Sequence, residues 1–253
     1  PFILTVDEIL SKIENLTLRE MPGGTLFPDT MKQYDDYTIR EALHNCIAHQ
    51  DYTLQQRINF VENPGYLYYS NAGTFIPGTL ENVLRNEEPQ THFRNECLCR
   101  AMVDFNMIDT VSRGIKKMFN EQWRRHFPMP DYEIDQIKKK VVVRIYGNEI
   151  NKRYTDLLKT NDTLSLWDCI SLDAVQKGRT IHEDIAQDLL KRGLIEGEAP
   201  HYSISLSIAK NTNQLPSYTK TKGLDKERLR QMVLQYLSNA GEEGAKRDSI
   251  YEY

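Results

Sequence analysis

Hydrophobic and polar positions follow two periods along the chain, and the first 150 residues mix both. Residues 38–48 place apolar side chains three and four positions apart, as a buried helix does, and Thr38 with Glu41 has the spacing of a capping box. Alternation on both sides of the turn at 63–65 predicts a β-hairpin. The same criteria predict helices within 1–20, 79–95, 95–109 and 112–127, and a strand over 138–147.

Two of these helices have faces that the pattern assigns to the core. Leu16 belongs to the apolar side of the first helix, and Leu98, Met102 and Phe105 form the inward side of the helix within 95–109. Helices interleaved with hairpins indicate one layered α+β domain over residues 1–150.

After residue 150 the order of elements changes. Three consecutive helical patterns and two short strands around a turn occupy 151–209, which is the order of a winged helix-turn-helix. Thr180 with Glu183 has the spacing of a capping box, and Gly193 lies where the third helix ends. That helix has an expected apolar face of Ile181, Ile185, Leu189 and Leu190.

The remainder is read as a linker and a partial module. Residues 210–222 are polar and contain proline, as linkers do. Residues 223–253 begin another amphipathic helix, which suggests the start of a further, truncated helical module. We therefore expect the 253 residues to be a fragment of a longer protein.

Composition limits the classes of function. The chain is 40% hydrophobic and carries a net charge of -4, so a DNA contact requires a local basic patch rather than an overall attraction. It contains no apolar run long enough to cross a membrane, and its four cysteines lack zinc-ligand spacing. A cytoplasmic protein with buried, reduced thiols and no membrane partner is expected.

The helix at 38–48 carries an unusual polar row. Glu41, Asn45 and His49 are four residues apart and share one side of the helix. A solvent-exposed face explains such a row simply, although asparagine and histidine are mediocre helix formers. A phosphate–metal site explains it as well, because a carboxylate can accept a proton from water and an amide oxygen can ligate Mg²⁺.

The stretch at 40–52, REALHNCIAHQDY, resembles the signature of the RecG-related transcriptional regulators, R-E-A-[LV]-x-N-A-x-x-H-R-D-Y. Residues 71–78 stand where that family has a Gly/Pro-rich loop, and Arg94-Asn95 and Arg113-Gly114 stand at two later motifs. Residues 175–197 are similar to the winged-helix segment of relatives, so the resemblance covers roughly 37–206.

The resemblance implies a GHKL-like α/β sandwich domain, related to the ATPase domains of gyrase and Hsp90, followed by a winged helix. It implies that Glu41 is the base for water and that Asn45 binds Mg²⁺ and phosphate. It places the adenine-side loop at Asn71 and Gly73 and the phosphate-side helix start at Gly114. The implied cofactors are ATP and Mg²⁺, and the full set of implied nucleotide-binding residues is Glu41, Asn45, His49, Asn71, Gly73, Arg94 and Gly114.

The sequence departs from the GHKL pattern at two places. The adenine loop has Asn71 where the pattern has an aspartate, and the glycine-rich lid is reduced to Arg113-Gly114. We therefore predict a degenerate site with little or no ATP hydrolysis, so the chain is not expected to be an enzyme. Two alternatives stay open: an active GHKL-type ATPase, and a scaffold in which the row on the helix makes structural hydrogen bonds.

The third helix of the winged-helix pattern would read DNA. Its basic or amide side chains suit phosphates and base edges, whereas Glu183, Asp184 and Asp188 would repel the duplex. The expected DNA-binding residues are Arg179, His182, Gln187, Lys191, Arg192 and His201, with Lys177 a favourable neighbour. The interpretation is a DNA-binding transcriptional regulator, with a homodimer as a means of raising avidity. A protein-interaction scaffold is the alternative for this domain.

Overall fold

The computed structural model describes residues 5–20, 29–85, 93–108 and 113–205. The chain forms two compact units, whose boundary lies between Ile150 and Asn151. Both combine helices with antiparallel strands, so the fold class is α+β. Residues 210–222 and 223–253, where the sequence predicts a linker and a further helix, lie outside the described residues.

The first unit contains a four-stranded antiparallel sheet in the order β3-β4-β6-β5 and a two-stranded sheet β1-β2. The strands are β1 (Thr17–Glu20), β2 (Asp29–Lys32), β3 (Asn59–Asn63), β4 (Tyr66–Ala72), β5 (Asp131–Asp135) and β6 (Lys140–Tyr146). The helices are α1 (Val6–Ser11), α2 (Asp36–His49), α3 (Leu80–Arg85), α4 (Glu96–Asp104) and α5 (Gly114–Arg124).

The central strands carry the core of this unit. Alternate residues of β4 and β6, such as Leu67, Tyr69 and Ile145, have no exposed surface. They pack with the buried residues of α2, which include Ile39 and Leu43, in one hydrophobic cluster. The antiparallel pairing of β3 and β4 across the turn at 63–65 confirms the hairpin, and the buried face of α2 confirms this helix.

The start of α2 differs from the prediction. Asp35, not Thr38, is the N-cap, and its carboxylate accepts hydrogen bonds from the backbone N–H of Thr38 at 2.8 Å and from its hydroxyl at 2.9 Å. Thr38 lies inside the first turn, and the capping box with Glu41 is absent, which leaves the Glu41 side chain to another role. Aspartate caps a helix as well as threonine does, and it occurs three residues earlier.

Several assignments at the edges of the first unit were wrong. Leu16 is 49% exposed and Phe105 is 64% exposed. Helix α1 ends at Ser11, and strand β1 begins at Thr17 within the stretch that was predicted to be helical. Strand β5 was not predicted, because its sequence DYEID contains three acidic residues. Short apolar patterns at edges are weakly determined by period alone.

The second unit has three helices followed by a hairpin. The elements are α6 (Lys152–Thr160), α7 (Leu166–Gln176), α8 (Glu183–Lys191), β7 (Ile195–Glu198) and β8 (His201–Ile204). Leu157, Leu172 and Leu189 are at most 2% exposed and belong to its core. A capping box of Ser165 and Asp168 starts α7.

Helix α8 departs from the prediction in its cap and in its face. His182 is the N-cap, without a side-chain cap hydrogen bond, so Thr180 and Glu183 do not form a capping box. Gly193 follows the helix with φ +68°, as expected for a glycine that ends a helix. Ala186 and Leu189 are buried, whereas Ile185 is 40% and Leu190 is 37% exposed, so the buried face is narrower than predicted.

No helix within the described residues is long and apolar enough to cross a membrane.

Candidate functional site

A cavity of about 90 Å³ opens in the first unit between α2, the sheet and the start of α5. Helix α2 contributes the row of Glu41, Asn45 and His49 to its lining. The row therefore faces a concavity instead of open solvent. Asn71 at the end of β4 and Gly114 at the start of α5 line the same cavity.

Glu41 and Asn45 form the polar end of this cavity. Asn45 Nδ2 donates a hydrogen bond of 2.9 Å to Glu41 Oε1. A carboxylate is an acceptor, so the amide must present its N–H₂ to Glu41 and its Oδ1 elsewhere. The pair thus fixes which end of the Asn45 amide faces Glu41.

Gly114 lies against the carboxylate of Glu41. A Cβ built at Gly114 would lie 1.6 Å from Glu41 Oε1 and 2.3 Å from its Cδ. Glycine allows this close approach, since another side chain would push the Glu41 carboxylate away. Gly114 is the first residue of α5, whose N-terminal turn carries partial positive charge and suits a neighbouring carboxylate.

His49 closes the row on α2. Burial, and secondarily the charge of Arg94, lower the pKa of His49 to about 4. The imidazole is therefore neutral at neutral pH, and it brings no positive charge to the cavity. The carbonyl oxygen of His49 accepts hydrogen bonds from the side chains of Arg94 at 3.1 Å and Asn71 at 3.5 Å.

Arg94 has a structural role in this conformation, which differs from the expected phosphate contact. Its guanidinium donates to the carbonyl and hydroxyl oxygens of Thr74 at 2.7 and 2.8 Å and pairs with Asp51 at 3.6 Å. Together with the bond to His49, these contacts engage its N–H groups with the protein. Arg94 is not among the residues lining the cavity.

Asn71 and Gly73 belong to the end of a strand and the turn after it, rather than to a free loop. Asn71 lies in β4, is 6% exposed and donates to the carbonyl of Ala72 at 3.2 Å. Gly73 has φ +130°, and a Cβ there would lie 3.1 Å from Arg94 Nε. Gly73 thus allows the arginine to reach the backbone, and it is not itself a lining residue.

The sequence analysis missed the apolar walls of the cavity. Tyr132 of β5 lies on one side with Phe75, their ring centroids 6.3 Å apart. Burial, and then the nearby Glu41 and Cys46, raise the pKa of Tyr132 well above 10. The side-chain amide of Gln136 holds the backbone of Phe75 through bonds of 3.2 and 3.3 Å. The signal in the sequence that could have indicated this wall was Tyr132, an aromatic residue within a short acidic stretch.

The described part of the lining is poor in charge. It contains Glu41 but no lysine or arginine, and its histidine is neutral at neutral pH. Apolar residues make up most of the rest, among them Ile115, Val141 and Val143. The described residues contain no group of three or more His, Cys, Asp or Glu side chains that could hold a metal ion. Asn45 alone would be a weak Mg²⁺ site, because Mg²⁺ needs several oxygen ligands.

The predicted DNA-binding residues differ in their contacts in the structure. The side chains of Arg179, His182, Gln187, Lys191 and His201 are exposed. Arg192 instead donates to both carboxylate oxygens of Asp168, at 2.6 and 3.1 Å, and to Asp188 at 3.0 Å. It is therefore a tie between α8 and α7, and the expectation of a phosphate contact from Arg192 is not supported.

Two further expectations about side chains need correction. Lys177 pairs with Asp173 at 2.5 Å, and both side chains are at most 6% exposed, so Lys177 is not available to DNA. Cys97 is exposed, whereas Cys46, Cys99 and Cys169 are buried as expected, and all four are free thiols. A spacing of two residues on α4 places Cys97 and Cys99 on different sides of the helix.

Comparison with known proteins gives a distant structural likeness. No family model matches this chain, and no curated protein matches it. The crystal structure of the DIP2311 protein from Corynebacterium diphtheriae is similar, with a TM-score of 0.55, 16% sequence identity and coverage of 84% of this chain and 48% of that one. This chain spans about half the length of that protein. At this identity the likeness concerns the fold alone.

Proposed function

We propose that this chain is part of a DNA-binding regulator whose first unit binds a small molecule in a degenerate GHKL-like site. The observation that carries the proposal is the cavity itself, where Glu41 and Asn45 of α2 meet Gly114 of α5 at one end of an apolar space. A largely apolar concavity with a few fixed polar groups is the usual form of a ligand site. The motif resemblance in the sequence supports the same choice.

Binding without hydrolysis fits the chemistry of the cavity. Phosphoryl transfer depends on cations that neutralise charge on the phosphates. The described lining residues supply none, and Arg94 is engaged by Thr74 and Asp51. Glu41 resembles a general base by position, but the described lining offers no lysine or arginine to hold a phosphate beside it. Sensing is therefore a better function for this site than turnover.

Thermal shift and calorimetry with adenine, adenosine and ATP, each with and without Mg²⁺, test the ligand proposal. A ligand of the folded state should raise the midpoint of unfolding by mass action. Asn45→Ala should lower the apparent affinity roughly tenfold and so reduce the thermal shift. It removes a hydrogen bond to the ligand and the hydrogen bond that orients Glu41. Gln56→Ala, which changes an exposed amide outside the cavity lining, is the control. Failure of every adenine compound to bind would contradict this part.

The second unit is proposed to contact DNA through α8 and the hairpin that follows it, in the manner of a winged helix. Lys191 and Arg179 are exposed cations, and Gln187 is an exposed amide on the same helix as Lys191. Fluorescence anisotropy of duplex DNA with the whole chain tests this. Lys191→Ala should weaken binding to all sequences and reduce the salt slope of log K by about 0.9. Gln187→Ala should instead reduce the preference between sequences.

A protein-interaction module is the second candidate for this unit. Helix α8 exposes Ile185 and Leu190 beside the acidic Glu183, Asp184 and Asp188. Apolar and acidic groups together suit a protein surface better than a phosphate backbone. An absence of DNA binding at low salt, or binding that Lys191→Ala leaves unchanged, would favour this candidate.

A further inference from the structure

We infer that Gln136 is a positioning residue of the ligand site, because its side chain holds Phe75 beside Tyr132 and so sets the aromatic wall on which a ligand ring packs. The inference rests on the proposed ligand site and names a residue that governs its affinity without contacting the ligand. Gln136 directly follows strand β5, and it is not among the residues that line the cavity.

The two rings of this wall are supported in different ways. Tyr132 belongs to strand β5, and the buried Phe119 of α5 stacks on it with ring centroids 6.3 Å apart. Phe75 lies between β4 and α3, in a segment without regular secondary structure. Sheet and helix packing therefore hold Tyr132, whereas the place of Phe75 depends on contacts made by its own segment.

Gln136 supplies such contacts at both backbone polar groups of Phe75. Its Oε1 accepts a hydrogen bond from the backbone N–H of Phe75 at 3.3 Å. Its Nε2 donates to the carbonyl oxygen of Phe75 at 3.2 Å and to that of Gly78 at 3.5 Å. One planar amide thus pairs with the N–H and the C=O of a single residue, as a neighbouring antiparallel strand would.

The turn that follows β5 also holds the start of this segment. The backbone N–H of Gly73 donates to the carbonyl oxygen of Lys139 at 2.7 Å. Within the turn, the backbone N–H of Lys138 donates to the carboxylate of Asp135 at 2.8 Å. Strand β5 and its turn therefore both supply Tyr132 and fix the ring that faces it.

The separation of the two rings matters to a ligand that packs on them. Phe75 and Tyr132 line the cavity with ring centroids 6.3 Å apart. A gap of about 0.5–1 Å already removes a quarter or more of the dispersion attraction between two groups. Loss of the Gln136 hydrogen bonds lets Phe75 move by such distances, so Gln136→Ala should weaken the binding of adenosine roughly fivefold in calorimetry. Gln56→Ala, at an exposed glutamine outside the lining, is the matched control.

A second measurement needs no ligand and uses two buried thiols of the first unit. Cys46 lines the cavity, whereas Cys99 belongs to the same hydrophobic cluster without lining it. Burial raises the pKa of Cys46 to about 12, so its thiol reacts slowly while Phe75 stays in place. In Gln136→Ala, methyl methanethiosulfonate should modify Cys46 roughly fivefold faster and Cys99 less than about twofold faster, because the opening is local. Peptide mapping by mass spectrometry of the whole chain gives both rates.

Gln136→Glu separates the hydrogen bonds from the rest of the side chain. At pH 7 its carboxylate can accept from the N–H of Phe75 but has no proton for the carbonyl oxygens, so Cys46 should react faster than in the parent. An ordinary glutamate has a pKa of about 4.3, and the protonated acid regains a donor. Burial raises the pKa of Cys46 and of Cys99, so the thiolate fractions of both fall alike below pH 7. The ratio of their rates should therefore return towards the parent value as the pH falls to about 4.5.

Each outcome decides the inference. Equal acceleration at Cys46 and Cys99 would mean that the substitution loosens the whole unit, and no acceleration at Cys46 would mean that Phe75 is held without Gln136. Either result overturns the inference, as does a Gln136→Glu ratio that does not respond to pH. If the thiols respond as expected but no adenine compound binds, the nucleobase proposal fails and the positioning of Phe75 stands. If adenosine binds the parent and Gln136→Ala equally, the ligand site stands and the role given to Gln136 is wrong.

Discussion

Helices α2 and α8 both carry a row of polar side chains, yet the two rows have different surroundings. On α2 the row of Glu41, Asn45 and His49 lines a cavity beside the sheet. On α8 the polar residues are exposed to solvent, apart from ion pairs at its end that involve Arg192. Neighbouring elements separate the two, because the sheet and the start of α5 lie against the polar side of α2.

The difference shows how a polar row on a helix can be interpreted. A row of lysine, glutamate and glutamine loses little by staying hydrated. Asparagine and histidine contribute less to an exposed helix, so their presence is better explained by specific partners. In α2 those partners exist, because Asn45 bonds Glu41 and the backbone of His49 is held by Arg94. This comparison can be tested at individual residues.

His49 should produce the largest effect. Its pKa is lowered to about 4 by burial and by Arg94, against about 6.5 in an unfolded chain. The unfolded state therefore binds a proton first as the pH falls. Folding should lose about 3 kcal/mol between pH 6.5 and pH 4 from this group, and no such loss should come from it above pH 7.

Urea denaturation at several pH values measures this, with Trp123 of α5 as the reporter in a Trp167→Phe background. His49→Gln should flatten the fall in stability between pH 6.5 and pH 4 relative to the parent. His44, whose pKa is also lowered mainly by burial, is present in both proteins and cancels in the difference. Parallel curves for the two proteins would show that the row on α2 is hydrated, like that on α8.

Gly114 gives the next largest effect. Gly114→Ala would place a Cβ 1.6 Å from Glu41 Oε1 and force the carboxylate from its place beside Asn45. We expect a loss of about 2 kcal/mol in the free energy of unfolding, from overpacking and the broken hydrogen bond. The effect would be modest for a clash, because the end of a glutamate side chain can move.

A double-mutant cycle separates the clash from other effects of the substitution. In a Glu41→Ala background the overlap is gone, and alanine is favoured over glycine in a helix by up to about 1 kcal/mol. The sign of Gly114→Ala should therefore reverse. Equal destabilisation in both backgrounds, measured by urea denaturation, would mean that Glu41 does not pack on α5 as described.

The sequence predicted most of the elements that build the site. Apolar period identified α2, the hairpin at 63–65 and strand β6, because long regular patterns with clear turns have few alternatives. The row on α2 and Gly114 were selected as candidate site residues, and the structure brings them to one cavity. Nucleotide binding at these residues stays a prediction.

What could not be predicted depends on contacts between distant parts of the chain. Arg94 bonds Thr74 and the backbone at His49, and nothing local in the sequence indicates that these groups meet. The pairing of Arg192 with Asp168 is of the same kind, at a separation of 24 residues. Both arginines were therefore assigned to phosphates. Strand β5, with Tyr132, was missed because its alternation is short and acidic.

Substitution of Arg192 should have the smallest effect on the free energy of unfolding, and it tests the surroundings of the polar side chains on α8. The side chain of Asp168 is 17% exposed, and that of Arg192 is 36% exposed. Burial raises the pKa of Asp168, but hydrogen bonds from Arg192 and Ser165 outweigh it and hold the pKa below its usual value. The pair should therefore stabilise the fold above about pH 4, and the contribution should be lost as the pH falls further.

Because solvent screens the ion pair, Arg192→Met should cost about 1 kcal/mol in the free energy of unfolding at pH 7. Lys191→Met, at the neighbouring exposed cation, should change stability by less than about 0.5 kcal/mol. Urea denaturation followed by Trp167 of α7, in a Trp123→Phe background, compares the two variants within the second unit. Equal effects of the two substitutions would return Arg192 to the solvated side of α8 and make it available to DNA.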